Sequence, residues 1–176
     1  MGWYQSGRFL HRQAPLHESE VMMNIPEHYG LGLAKEISRA INLMRSEEDR
    51  LGQLFYFSAA LGESGRILNY HWDPTLALFH VTLQAVHSSA NNRIQSVESR
   101  REPGVYLPPN FMELLVEALQ EAHKAIVESD DHRLMRVMTR LAELAYVCTG
   151  NGYYLYKKGA ISLDRINSES LSTGSG

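Results

Sequence analysis

Cysteine is almost missing from this chain: Cys148 is the single one in 176 residues. That excludes an internal disulfide and any zinc or iron–sulfur site built from several thiolates. No apolar run is long enough to cross a bilayer, and Met1 to Arg12 contains nothing like the apolar core of a secretory signal. Cytoplasmic residence is the expectation. Neither sign of charge dominates. The 17 Lys and Arg against 20 Asp and Glu leave a net charge of −3, which gives no field to attract nucleic acid or an anionic membrane. A phosphate-binding Gly loop is also absent, because Gly150-Asn151-Gly152 lacks a following Lys-Ser or Lys-Thr.

A further absence is local. From Pro74 to Asn92 the chain runs 19 residues without Asp, Glu, Lys or Arg, yet its apolar residues recur at helical spacing. A helix with no charged face has no evident side for water, so this one is expected to lie inside the protein. Only nine of its residues are apolar, too few for a membrane span.

What is present reads as helix throughout. An irregular N-terminal arm, residues 1–24, carries Trp3, Tyr4 and Phe9; a helical-bundle domain follows over 25–167, then a Ser/Gly-rich tail, 168–176, expected to be disordered. The first helix shows Leu33, Ile37, Ala40, Ile41 and Met44 on one face. Ser46, with Glu47, Glu48 and Asp49 after it, predicts the cap of a second helix whose seam is Leu51, Leu54, Leu61 and Leu68, with Phe55 and Phe57 beside it. Asp73-Pro74 predicts a capped start for the third, with the seam Trp72, Leu76, Phe79, Leu83, Val86, Ala90, Ile94 and Val97. Pro103-Gly104 and Pro108-Pro109 mark a break, and Asn110 with Glu113 predicts a reciprocal cap on a fourth helix. A fifth helix begins after Ser129-Asp130, and its Arg133, Arg136 and Arg140 are expected to form a solvated stripe. Gly150-Asn151-Gly152 predicts an interruption before a short sixth helix bearing Tyr153, Tyr154 and Tyr156; Gly159 to Leu163 alternates weakly like a strand. The fold class predicted is all-α: an antiparallel helical bundle of four long helices plus one or two shorter ones.

Chemistry has few places to reside. On the third helix His80, Gln84, His87 and Asn91 form one polar stripe at steps of four, three and four, beside the apolar seam. The two imidazoles are about 10.5 Å apart along the axis, too far to share a metal ion. No Glu-x-x-His pair and no two His four apart occur, so neither metal nor cofactor is expected. On the second helix Ser58, Gly62 and Gly65 make a stripe of small residues, suited to close helix approach or to a ligand lying on bared backbone. Cys148 falls on a seam position and reads as an inert core thiol.

Arg66-Ile-Leu-Asn-Tyr-His71 resembles the Arg-x4-His pattern of the HEPN domains, a class of helical-bundle ribonucleases. That resemblance implies a metal-independent phosphodiester chemistry positioned and protonated by Arg66 and His71. The same spacing recurs at Arg12 and His17. Read as a plain helix C-terminus, Arg66 and His71 instead place cations at the negative end of the helix dipole.

The sequence therefore favours a non-enzymatic helical bundle that self-associates, as a dimer first of all, or scaffolds a partner. A rival is a small-molecule-binding or catalytic bundle with a pocket between the second and third helices, beside His80, His87, Gln84, Arg66 and the small-residue stripe. The third reading is RNA cleavage by Arg66 and His71.

Overall fold

In the computed structural model, residues 23–98 and 107–164 are described, and they form α1 (Glu27–Ser46), α2 (Arg50–Tyr70), α3 (Pro74–Glu98), α4 (Phe111–Val127), α5 (Asp131–Val147) and α6 (Gly150–Lys157). Arm residues 1–22 with the Arg12–His17 pair, the Val97 side chain, residues 99–106 with Pro103-Gly104, and the tail lie outside the described residues. Among the described residues there is no strand; Gly159 to Ile161 are turn and bend, and Ser162 and Leu163 are irregular.

Side-chain caps set most helix starts. Asp49, not Ser46, opens α2: its Oδ2 accepts from Gly52 N at 2.9 Å, while Ser46 ends α1 and donates from Oγ to Leu43 O. A cap needs extended backbone, which Asp49 has and Ser46, still inside α1, does not. Asp73 caps α3 as predicted, with Oδ1 accepting from Leu76 N at 2.8 Å. Asn110 makes no side-chain cap bond, so the reciprocal cap expected with Glu113 does not form. Asp130 caps α5 and Thr149 caps α6. The predicted break before a short sixth helix is present, but it falls at Cys148 and Thr149, and Gly150 to Gly152 form the first turn of α6. Between α4 and α5, Asp130 N donates to Ala125 O and Ser129 N to Ile126 O, the paired bonds of a Schellman turn, with Ser129 at φ +51°.

Contacts between helix ends define the directions. Gln53 at the start of α2 bonds Met44 O and Glu47 O at the end of α1. Asn24 N, just before α1, reaches Asp73, just before α3. Arg93 near the end of α3 reaches Cys148 O at the end of α5. So α1, α3 and α5 run one way while α2 and α4 return. The principal packing contacts join α1 to α2 and α4, α2 to α3, α3 to α5, and α4 to α5. The five long helices therefore close into a ring, in the order α1, α2, α3, α5, α4. Every neighbouring pair is antiparallel except α3 and α5. Inside lie Leu33, Ile37, Phe57, Phe79, Leu115 and Leu141, all fully buried; each is worth about 1.5–3 kcal/mol of burial.

Three expectations about faces change. The α2 stripe that enters the core is Leu54, Phe57, Ala60, Ser64 and Ile67; Leu51, Leu61 and Leu68 lie on its flank, and Phe55 is 71% exposed. Small Ala60 and Ser64 allow close packing there, so the branched leucines are displaced to the side. On α3, Leu76, Phe79, Leu83, Val86, Ala90 and Ile94 are buried as predicted, but Trp72 is exposed, and so is the opposite face with Leu78, Val81, Gln84, Ala85 and Ser88. The uncharged helix is not enclosed; small and amide side chains meet water there without charge. Finally, Arg136 is solvated but Arg140 is buried. Gly159, at φ +84°, turns the chain back so that Leu163 packs on the core and Asp164 O accepts from Arg140 Nη2. The Arg140 Nε faces Glu143 at 3.6 Å.

Candidate functional site

The two stripes singled out in the sequence meet along the α2–α3 contact. Ser64 Oγ lies 2.9 Å from Leu61 O and 2.8 Å from His80 Nδ1. The hydroxyl carries a single proton, so it serves either Leu61 O or His80 Nδ1 as donor and the other contact follows the imidazole tautomer. Ser64 is fully buried, which keeps its Oγ away from solvent. Gly65 lets the ring approach: a Cβ there would stand 3.0 Å from His80 Cε1. Two turns further along α3, His87 stacks on Phe57 with centroids 6.4 Å apart and planes 7° from parallel. Burial lowers the His87 pKa, partly offset by a hydrogen bond to the Leu54 backbone.

The remaining stripe residues face outward. Gln84 is exposed and Asn91 half-buried. Ser58 Oγ donates back to Phe55 O, and nothing comes within 4 Å of the Cβ position of Gly62. Only Gly65 of the small residues serves close approach within the chain.

Arg66 and His71 have separate partners. The Arg66 guanidinium grips Glu63 through Nε at 2.9 Å and Nη2 at 2.6 Å, which holds the Glu63 carboxyl low and raises the arginine further. His71, beyond the end of α2, places Nε2 3.0 Å from Asn24 O and tilts against Tyr29 at 6.5 Å.

Two clefts stand apart from His80 and His87, and His123 lines the larger of them. The larger, about 1080 Å³, is an open groove between α1 and α4 edged by Asn42, Arg45, Glu113, Glu117 and Lys124. The smaller, about 320 Å³, lies where the start of α1 meets the end of α4. Among the described residues no group of His, Cys, Asp and Glu could hold a metal ion, and no described helix is long and apolar enough to cross a membrane.

Buried charges were the least foreseeable feature. Arg93 Nε donates to Cys148 O at 2.7 Å, closing the C-terminal end of α5, where the helix dipole favours a cation. Glu121, 2% exposed, faces Lys124 and Arg133 at 3.4 and 3.6 Å. Residue spacing gave no sign of either pairing across helices. Cys148 is the inert core thiol expected: it donates to Leu144 O, and burial pushes its pKa up to about 12.

Compared with known proteins, the chain matches no family model, no curated protein sequence and no solved structure.

Proposed function

We propose that this protein is a non-enzymatic helical bundle that pairs with a second copy of itself through the outer face of α2 and α3. One observation carries the reading: a solvent-facing surface with large apolar side chains and no charge. No charged residue occurs from Leu51 to Gly62 on α2 or from Pro74 to Asn92 on α3. Phe55, Leu78 and Val81 are 71, 46 and 55% exposed within those segments. Among the described residues, five of the ten large apolar side chains that reach solvent belong to this hairpin, counting Tyr70 and Trp72 at its far end beyond the exposed Arg66.

Neutrality favours a second copy as the occupant. In a two-fold contact each patch meets its own duplicate, so any net charge would face its like. A neutral apolar patch pairs with itself at no such cost, whereas an acidic or basic partner gains nothing from it. Obligate contacts of this kind resemble a core cut in half. The reading places the protein in the cytoplasm, with its single thiol buried.

Sedimentation at micromolar concentration tests it. A dimer is expected, and a clean monomer would overturn the reading. Phe55→Glu and Val81→Glu should each give a monomer with unchanged helix content, because both side chains are already in water in the single chain.

A further inference from the structure

We infer that His80 and His87 make this self-association pH-dependent, the paired state being released as the imidazoles gain protons. The inference rests on the dimer reading and adds its regulation. Both rings are half-buried along the contact between α2 and α3, against Ser64 and Phe57. As neutral rings they match the uncharged surface around them. As imidazolium ions they bring two positive charges per chain onto a face that meets its own copy.

Among the described residues no carboxylate forms an ion pair with either imidazole. From Leu51 to Asn92 the charged residues are Glu63, Arg66 and Asp73. Glu63 is bound by Arg66 through two hydrogen bonds. Asp73 is buried and caps α3 while accepting from Asn24. At the start of α2, beyond Leu54, stand Tyr56, Arg50 and the acids Glu47, Glu48 and Asp49, of which Asp49 caps α2 and Glu47 accepts from Asp49 N. On the other flank of α3, α5 carries Asp131, His132, Arg133, Arg136, Arg140, Glu143 and Tyr146, with Arg93 and the Cys148 thiol at its end. Imidazoles as a class change charge between about pH 5 and 8, and burial shifts the His87 transition downward.

Mass action sets the size of the effect. If the pair admits only neutral rings, each ring weakens association by about 10-fold at one pH unit below its free value, and a pair carries two copies of each.

The test is sedimentation equilibrium of the full chain at pH 7.5 and 5.5, with far-UV circular dichroism at both. The wild type should dimerise at pH 7.5 and show a dissociation constant at least about 10-fold higher at pH 5.5, with its helix signal retained. His80→Gln with His87→Gln should remove that dependence, and each single variant should remove part of it. A wild-type constant that moves less than about 3-fold overturns the inference and leaves the dimer reading standing. So does an equal loss in the variants, or a loss of helix at pH 5.5. A monomer at pH 7.5 removes the dimer reading itself, and the inference with it.

Discussion

Asp73 and Asn24, 49 residues apart, are joined by a 2.9 Å hydrogen bond from Asn24 N to Asp73 Oδ2, while Oδ1 of the same carboxylate caps α3. One buried side chain thus fixes both the start of α3 and the chain leading into α1. Asp73→Ala should cost about 2–3 kcal/mol, from a lost cap and a lost charge-assisted bond. Asp73→Asn keeps an oxygen for the cap and should cost roughly half as much. Urea unfolding measures both, and a loss below about 0.5 kcal/mol for the alanine variant would contradict the geometry.

Gly152 and Gly150 make a matched pair. A Cβ at Gly152 would lie 1.8 Å from Tyr146 O, a backbone atom that cannot step aside, whereas Gly150 has open space. Gly152→Ala should therefore unseat α6 and lower the thermal midpoint by several degrees. Gly150→Ala should be neutral or slightly stabilising, as Ala is the better helix former. Equal midpoints for the two variants would count against this packing.

Ser129 adopts the left-handed conformation that closes α4. Ser129→Gly should add about 1 kcal/mol by removing the Cβ penalty there. Ser129→Val should lose stability, since a branched side chain fits that conformation worst. Chemical denaturation of the three proteins gives the order directly.

His87 links stability to pH. Burial holds its folded pKa below the ordinary 6.5, so below that pH the unfolded chain binds more protons than the folded one. Its contribution is complete above pH 6.5 and declines as pH falls, levelling once the folded ring protonates as well. Urea midpoints at pH 7.5, 6.5 and 5.5 should show the wild type losing ground against His87→Phe on acidification. A gap between the two that stays constant with pH would refute this.

Cys148 should resist thiol reagents. With its pKa pushed up to about 12 and its side chain buried, the native protein should label negligibly with iodoacetamide at pH 8. In denaturant one thiol per chain should react.

Legibility in the sequence followed the range of the interaction. The α3 cap at Asp73 and the seam from Leu76 to Ile94 depend on neighbours three and four residues away, and both are present as read. The bundle class follows from those same periods. Faces were harder to assign. Leu51, Leu61 and Leu68 are more hydrophobic than Ala60 and Ser64, yet the small residues take the interior of α2 because neighbouring helices come close there. An absence of charge on α3 indicated burial, but Val81 and Leu78 meet water. Arg93 with Cys148, and Arg140 with Asp164, pair across 55 and 24 residues, and no local pattern encodes them. At the candidate site, the stripe of His80 and His87 was visible in the sequence. Its partners Ser64 and Phe57 were not, because they depend on the register between two helices.

The ring order also bears on how the chain reaches this shape. Consecutive α1, α2 and α3 pack as neighbours, α4 and α5 form a second hairpin, and the two blocks touch along α1 with α4 and α3 with α5. Taken alone, the first block is a trough with its greasy floor open to water, and the second is a wedge with two apolar flanks. The core is complete only where trough and wedge meet, so neither block buries its full apolar face without the other.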